Sequence, residues 1–307
     1  MRPFRFSLQV DPADPDLDVD GIGPAAEEAG FDVLTTSDHV GTNRSPLPLL
    51  THVAARTTRL HLGTMVLNND MRNPVQLAWE AATLQQLSAG RFELGIGAGH
   101  TPHEYAATGI GLDPPAARKQ RLAESIEIIT ALHRGDTVDH EGRHHVIHGA
   151  HLGAARPGPP PLLVGGNGDA LLRHAARHAD IIGLQGLGRT LADGHRHEVR
   201  WSPERLDEQV ATIRTVDTDH RVELQALVQG VDITDDRRAA LAAIVERAEG
   251  LTMEHAAATP FLAFGTVEEI AHQLVAARER WGLSYFTVRS LAFAPVIERL
   301  RAIDANR

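Results

Sequence analysis

Residues 62–99, LGTMVLNNDMRNPVQLAWEAATLQQLSAGRFELGIGAG, contain the pattern that decides the fold. Two short apolar segments, which we predict as strands over residues 60–67 and 92–97, flank a segment with helical spacing over residues 74–87. Pro74 stands at the start of this helix, where proline is tolerated because the first turn needs no backbone donor. A strand, a helix and a second strand in this order predict a βαβ unit with parallel strands.

The same alternation continues along the whole chain. Candidate strands cover residues 4–10, 32–36, 60–67, 92–97, 162–165, 181–184, 223–228 and 285–289. Helical patterns cover residues 23–29, 48–57, 74–87, 116–133, 170–178, 203–216 and 267–280. Eight strands that alternate with helices in 307 residues predict a (β/α)8 TIM barrel of the α/β class. An open doubly wound sheet is the alternative.

Two stretches exceed a minimal barrel, and we predict a single domain over residues 1–307 with two loop insertions. The first insertion, about residues 136–158, is rich in glycine and histidine and includes VDHEGRHHVIHG, which predicts a short hairpin. The second, about residues 232–264, is predicted as a helical excursion between the seventh and eighth strands. Long loops of a barrel commonly form a lid or a wall of the substrate pocket.

Composition excludes several classes of function. The chain has no cysteine, which excludes thiol catalysis, disulfides, iron–sulfur clusters and cysteine-ligated zinc. The formal net charge is −10 and no basic stripe is present, so nucleic acid is not an expected partner. The single lysine, Lys119, lies in ARKQRLAES, which has the pattern of a helix face. A polar N-terminus and the lack of an apolar run of about 18 residues predict a cytoplasmic protein with no membrane contact.

Polar and glycine residues gather where the predicted strands end. They follow strand two at residues 37–39, strand three at 65–69, strand four at 98–100 and strand five at 165–168. In a (β/α)8 barrel the C-terminal ends of the strands form the active face. We therefore expect these four groups to line one site.

The segment LTTSDHV places Asp38 and His39 at the end of strand two. An imidazole titrates near neutral pH and can both give and take a proton, so His39 is the candidate acid/base group. Two other interpretations remain for the pair by itself: Asp38 caps the next helix while His39 lies in a loop, or the pair belongs to a metal site.

Two glycine-rich loops each follow a strand and precede a helix. They are Gly97-Ala98-Gly99 and Gly165-Gly166-Asn167-Gly168. In this setting backbone N–H groups and a helix N-terminus can hold a phosphate. The second loop is the stronger candidate, because a clear helical pattern begins directly after it.

A metal-dependent hydrolase is a competing interpretation because the chain has 18 histidines. His144, His145, His148 and His151 cluster in GRHHVIHGAH, but in a hairpin His145 would point away from the face that His144 and His148 share. No HExxH motif is present, and no GxSxG motif supports a serine nucleophile. We expect no metal ligands at the strand ends.

The segments EEAGFDVLTTSDH, residues 62–99, LLVGGNGDALLRHAARHADII and FGTVEEIAHQL resemble the luciferase-like family of flavin-dependent barrels. Within this family, the arginine-rich and cysteine-free composition resembles members that use the deazaflavin coenzyme F420. The resemblance implies a TIM barrel that transfers a hydride between F420 and an organic substrate, with His39 as the catalytic residue. The cofactor-binding residues that it implies are Asp38, Met65, Val66, Asn68, Ala98, Gly99, His103, Gly165, Gly166 and Asn167.

Within this resemblance, Met65-Val66 corresponds to a non-prolyl cis peptide that backs the cofactor ring. Glu104 and Tyr105 match a family pattern beside the substrate pocket, whereas His100 replaces an acidic residue that some members carry. This replacement leaves the proton-transfer partner and the direction of the reaction open.

The resemblance also implies a homodimer that acts on a small-molecule substrate. Two alternatives use the same pocket: an FMN-dependent monooxygenase that is supplied by a separate flavin reductase, and a non-catalytic protein that binds F420 or flavin.

Overall fold

A closed barrel of eight parallel strands forms the centre of the protein in a computed structural model that describes residues 1–41, 44–153, 156–190 and 197–306. The strands are β1 (Arg5–Val10), β2 (Val33–Thr36), β3 (His61–Thr64), β4 (Phe92–Gly97), β5 (Leu162–Gly165), β6 (Ile181–Leu184), β7 (Glu223–Leu227) and β8 (Leu283–Val288). Each strand pairs in parallel with the next along the chain, and β8 pairs with β1. The predicted (β/α)8 barrel is confirmed, and the open sheet is wrong.

Helices connect successive strands and surround the barrel. They are α1 (Ile22–Glu28), α2 (Pro46–Ala54), α3 (Pro74–Leu87), α4 (Pro102–Thr108), α5 (Pro115–Arg134), α6 (Asp169–His178), α7 (Pro203–Arg214), α8 (Arg237–Val245), α9 (Met253–Ala258), α10 (Val267–Trp281) and α11 (Ala294–Ala305). Local sequence sets several of their ends. Asn73 accepts hydrogen bonds from the first turn of α3, Thr266 forms a capping box on α10, and Gly135 ends α5 in the left-handed region.

The barrel interior is partly polar, because alternate residues on each strand point inward. Ser7 and Thr35 share a hydrogen bond of 2.9 Å inside it, and Gln225 donates to Thr287 at 2.6 Å. Four buried residues form a small inner cluster that is separate from the main core: Val33, Leu163, Ile181 and Tyr285. The main apolar core lies between the strands and the helices. The mouth of the barrel, at the C-terminal ends of the strands, is where the chemistry of such folds takes place.

Three excursions leave the barrel in the described part of the chain. The predicted hairpin is confirmed as two antiparallel strands, Val138–Glu141 and Val146–Ala150. The second insertion contains the predicted helices, α8 and α9. It also has a strand pair that was not predicted, because Gly230–Ile233 pairs in parallel with Leu262–Gly265. A further antiparallel pair, Leu187–Thr190 with His197–Val199, follows β6 and was not predicted.

No helix in the described ranges combines the length and apolar character that crossing a membrane requires.

Candidate active site

Asp38 lies at the C-terminal end of β2, where it connects two neighbouring strand ends. Its carboxylate accepts from the backbone N–H of Asn68 at 2.8 Å and forms a two-point ion pair with the Arg72 guanidinium, with 3.0 Å between Nη2 and Oδ1. The residue is only 8% exposed. Asp38 thus fixes the segment after β3 against β2, while its predicted contact with a cofactor stays a prediction.

His39 pairs with a buried carboxylate at the mouth of the barrel. Its Nδ1 lies 2.7 Å from Oε1 of Glu104, which the first turn of α4 holds in a buried position. The histidine side chain is 43% exposed and that of Glu104 only 3%. Because a carboxylate accepts, Nδ1 carries the proton, and Nε2 is the basic nitrogen of the ring. A buried carboxylate in this position fixes the orientation of the imidazole, as an acid/base pair requires, and the catalytic role of His39 stays a prediction.

Two further imidazoles stand beside this dyad. The His100 ring meets the His39 ring edge-on with 6.4 Å between centroids, and the His197 ring lies 4.9 Å from that of His100. Although His100 is open to solvent on one side, desolvation by the surrounding protein, the imidazoles of His197 and His39 and the Arg118 guanidinium lower its pKa to about 4. His100 is therefore neutral at pH 7 and can act as a hydrogen-bonding group without adding charge.

The peptide bond between Met65 and Val66 is cis, as the family resemblance implies. It lies where β3 stops and before the two-residue strand Leu67–Asn68 pairs with β4. The Gln9 side chain donates to the Met65 carbonyl at 3.0 Å. Val66 packs over two glycines: a Cβ on Gly97 would lie 2.7 Å from Val66 Cγ2, and one on Gly165 would lie 3.1 Å from Val66 Cγ1. Glycine at these strand ends thus leaves room for Val66.

Asn68 and the loop after β4 form the next part of the rim. The Asn68 Oδ1 accepts from Tyr105 at 3.3 Å, and Gly99, at φ +69, lies so close that a Cβ there would be 2.3 Å from the same oxygen. Arg118 donates to the carbonyls of Gly99 and Ala98. The loop is therefore held in place, and only glycine fits at position 99 without displacing its neighbours.

His103 lies in the first turn of α4, next to Glu104, and its side chain is exposed. It follows the loop after β4 and is exposed at the start of the helix. Its role stays a prediction.

The loop of residues 165–168 leads into α6. Gly168 is the N-cap of this helix and makes no side-chain capping hydrogen bond. The Asn167 side chain donates to the Leu187 carbonyl at 2.8 Å, and Arg205 donates to the Asn167 carbonyl at 3.2 Å. A Cβ on Gly168 would lie 2.8 Å from Nζ of Lys119. An ammonium group and a helix N-terminus together form a setting that suits a phosphate.

Lys119, Arg205 and His197 belong to the rim, and sequence reasoning missed all three. Lys119 was correctly predicted on a helix face, but no local signal shows that this face meets the loop after β5. His197 lies in a strand pair that follows β6 and gave no clear pattern. The only available signal for Lys119 was a basic residue close to a glycine-rich loop. It could be used only by knowing that the helix with Lys119 lies beside the loop of residues 165–168.

The hairpin histidines do not support the hydrolase interpretation. His145 shares a hydrogen bond of 3.1 Å with Ser125, and the backbone N–H groups of His144 and His145 donate to Glu124. Among the residues that the structure describes, the one grouping of three potential metal ligands lies on α5 and α6 instead.

The chain matches the family model of luciferase-like monooxygenases over residues 19–285, so it belongs to this family. It is 36% identical over 178 residues to the F420-dependent glucose-6-phosphate dehydrogenase of Mycobacterium avium (strain 104), a match that covers 54% of this chain and 53% of that protein. With F420-dependent glucose-6-phosphate dehydrogenase 1 of Rhodococcus jostii (strain RHA1), identity is 34% over 204 residues, or 62% and 61% of the two chains. The match to the M. avium protein thus spans about half of its length.

Solved structures share the fold over nearly the whole chain. The F420-dependent tetrahydromethanopterin reductase of Methanopyrus kandleri superposes with a TM-score of 0.76 at 18% identity, covering 96% of this chain and 97% of that one. An F420-dependent secondary alcohol dehydrogenase in complex with an F420-acetone adduct gives 0.77 at 17% identity, with both chains fully covered. The EDTA monooxygenase of Chelativorans sp. BNC1 gives 0.78 at 14% identity, covering 99% and 95%.

Proposed function

We propose that the protein is an F420-dependent oxidoreductase that transfers a hydride between the coenzyme and a small organic substrate with a hydroxyl or carbonyl group at the reacting carbon. The observation that carries the proposal is the His39–Glu104 dyad at the mouth of the barrel. The two curated relatives named above are F420-dependent dehydrogenases, and they support the proposal for the part of the chain that they match.

The residues of the rim fit a deazaflavin with a phosphodiester tail. The uncapped N-terminus of α6, the loop of residues 165–168 and Lys119 would hold the phosphate. Asn68, Ala98, Gly99 and His103 would border the ring, with Met65-Val66 behind it. Asp38 would contribute at the same edge of the ring by holding the backbone of Asn68 in place. When bound, F420 supplies the carbon centre that accepts or donates the hydride.

The protein's part of the chemistry is to move the accompanying proton. In the oxidative direction, the substrate loses a hydride from carbon and a proton from oxygen, and Nε2 of His39 takes that proton. Glu104 then stabilises the imidazolium through the Nδ1 hydrogen bond of 2.7 Å. His100 remains neutral beside it and leaves the positive charge on one ring. The reverse direction uses the same atoms with His39 as the acid.

Titration of the purified protein with F420 and with FMN, followed by fluorescence, tests the proposal. We expect saturable binding of F420 and turnover on a panel of alcohols and sugar phosphates. Binding of FMN with none to F420 would contradict the proposal and favour a monooxygenase with a separate reductase. Binding of F420 without turnover on any substrate would favour a non-catalytic carrier.

We also infer a homodimer formed through α3. Trp79 and Leu87 lie two turns apart on one face of this helix and are each 64% exposed. An aromatic and an aliphatic side chain on one exposed face are typical of a contact surface. Trp79→Glu should shift the protein to a monomer in light scattering; an unchanged mass would contradict this inference.

We retain the single domain over residues 1–307, with insertions at about 136–158 and 232–264 as walls of the pocket, as a proposal that limited proteolysis can test. The cytoplasmic compartment stays a prediction that cell fractionation can test.

A further inference from the structure

Helices α5 and α6 bring three potential metal ligands together on the helical layer of the barrel. Glu127 of α5 and His174 and His178 of α6 each offer one ligand atom, and these atoms lie within 4.8 Å of one another. The segment HAARH places the two histidines one turn apart on the same face of α6, with 4.6 Å between ring centroids. This spacing is the helical pair that zinc sites often use.

The surroundings of His174 leave its Nε2 atom available as a metal ligand. This nitrogen is buried and has no hydrogen-bond partner, and the nearest oxygen of Glu127 lies 4.0 Å away. The backbone carbonyl of Ala123, one turn before Glu127, faces the ring as a hydrogen-bond acceptor. A carbonyl that holds the Nδ1 proton fixes the tautomer and leaves the lone pair on Nε2. A buried lone pair without a partner calls for an explanation.

We propose that Glu127, His174 and His178 bind one Zn²⁺ ion, with water as the fourth ligand. Two imidazole nitrogens and one carboxylate oxygen are a ligand set that zinc prefers. In a tetrahedral zinc site the donor atoms lie about 3.3 Å apart. Because the ligand atoms lie up to 4.8 Å apart, they must close in by up to about 1.5 Å. Rotation of Glu127, whose side chain is 51% exposed, and of the histidine rings would supply this change.

The charges around the site act in both directions. Burial lowers the pKa of His174 and of His178, so protons compete little with a metal at pH 7. His178 is the last residue of α6, where the negative end of the helix dipole favours a cation. Arg177 and Arg134 oppose a cation at this place. Binding should therefore be specific but weaker than in a site with four protein ligands.

A bound ion would join α5 to α6. The loop of residues 165–168 leads directly into α6, and Lys119 lies on α5. A zinc clamp would hold these two parts of the rim together and raise the melting temperature. The inference does not depend on the proposed function.

The test uses the tag-free full chain, because 18 histidines give a background of weak binding. Zn²⁺ is titrated against a chromophoric chelator, and Co²⁺ serves as a spectroscopic probe of tetrahedral coordination. We expect one tight equivalent of Zn²⁺, a tetrahedral Co²⁺ spectrum and a higher melting temperature with metal. His174→Gln and Glu127→Gln should each weaken the affinity at least about tenfold. Glu127 is exposed, so its variant tests the site without disturbing the packing.

Two controls separate this site from the background. His272 is an exposed histidine on α10 that lies 3.2 Å from Glu268, a carboxylate one turn earlier on the same helix. His272→Gln removes this pair and should leave the tight equivalent of Zn²⁺ intact. Replacement of His144, His148 and His151 by glutamine should also leave it intact. Equal binding by wild type and His174→Gln, or loss of the tight equivalent in the hairpin variant alone, would overturn the proposal.

Discussion

The two ends of the barrel both hold charged side chains, but they hold them differently. At the N-terminal ends of the strands, Arg5 donates to Glu93 and Glu223, and its guanidinium stacks 4.5 Å from the Tyr285 ring centroid. Tyr285 also contacts Glu93 at 3.4 Å, and Ser284 contacts Glu223 at 3.2 Å. At the C-terminal ends, by contrast, His39 is half exposed and pairs with the buried carboxylate of Glu104.

This difference separates a cluster that keeps its protons from a site that can move them. At the N-terminal ends of the strands, burial lowers the pKa of Arg5, but its carboxylate neighbours outweigh burial and raise this pKa above its ordinary value. Burial and the nearby Glu93 raise the pKa of Tyr285 well above its ordinary value. Neither group changes charge near neutral pH, so we assign this end to stability. The mouth instead holds imidazoles, and the half-exposed ring of His39 keeps Nε2 for exchange of a proton with a bound molecule.

The largest effect should come from removing the cation of the charged cluster at the N-terminal ends of the strands. Arg5→Ala leaves Glu93 and Glu223 buried without their cation, and the free energy of unfolding should fall by about 3 kcal/mol. Chemical denaturation measures the change. Arg301→Ala is the control, because it removes an exposed partner of Asp32 and should cost under about 1 kcal/mol. Equal losses in the two variants would contradict the distinction between the two ends.

Glu104→Gln tests whether the carboxylate at the mouth acts on the chemistry. Glutamine keeps an acceptor for the His39 Nδ1–H but removes the negative charge that stabilises the imidazolium. We expect kcat to fall about tenfold, with little change in KM or in F420 affinity. Steady-state kinetics and the F420 titration measure these quantities, with the surface variant Glu268→Gln as control. A change confined to KM would show that Glu104 only shapes the pocket.

Lys119→Gln sharpens the assignment of the phosphate loop. Removal of the ammonium group beside Gly168 should weaken F420 affinity about tenfold, and added salt should reduce the difference between wild type and variant. Fluorescence titration at two ionic strengths is the measurement. Arg134→Gln, at the other end of α5, is the matched control and should bind F420 like wild type. If both variants bind equally well, Lys119 does not contact the cofactor.

The smallest effect concerns stability against pH. The pKa of His100 is lowered from 6.5 to about 4 in the folded protein, so between these values the unfolded chain binds a proton that the folded chain does not. Stability is therefore lost as pH falls through this range. His100→Gln should lose less stability than wild type between pH 7 and pH 5 in denaturant titrations. Parallel curves for the two proteins would show that His100 is not held neutral.

Most of the fold could be predicted from the sequence, because short apolar runs and helical spacing are local signals. All eight strands lie where apolar segments predicted them, although β8 begins at Leu283 and not at residue 285. The strand Gly230–Ile233 was missed because its partner, Leu262–Gly265, lies beyond two helices. The residues next to this strand in the sequence carry no signal that indicates a pairing with so distant a segment.

The site could be predicted only in part. The strand ends indicated which residues share the rim, and the resemblance separated Asp38 from His39. The partners of these two residues, Arg72 and Glu104, depend on how three strand ends converge. Lys119 was missed for the same reason, since contacts between distant segments leave no periodic trace in the chain.

The most direct test of the role of His39 is made on His39→Ala. Two quantities are measured on it: the F420 dissociation constant and the rate of hydride transfer at saturating F420. We expect a dissociation constant within about twofold of wild type and a rate lowered by about 100-fold, because in the proposed function His39 moves the substrate proton and does not hold the cofactor. An unchanged rate would contradict the assignment of the proton to His39. A large loss of F420 affinity would place His39 among the cofactor-binding residues instead.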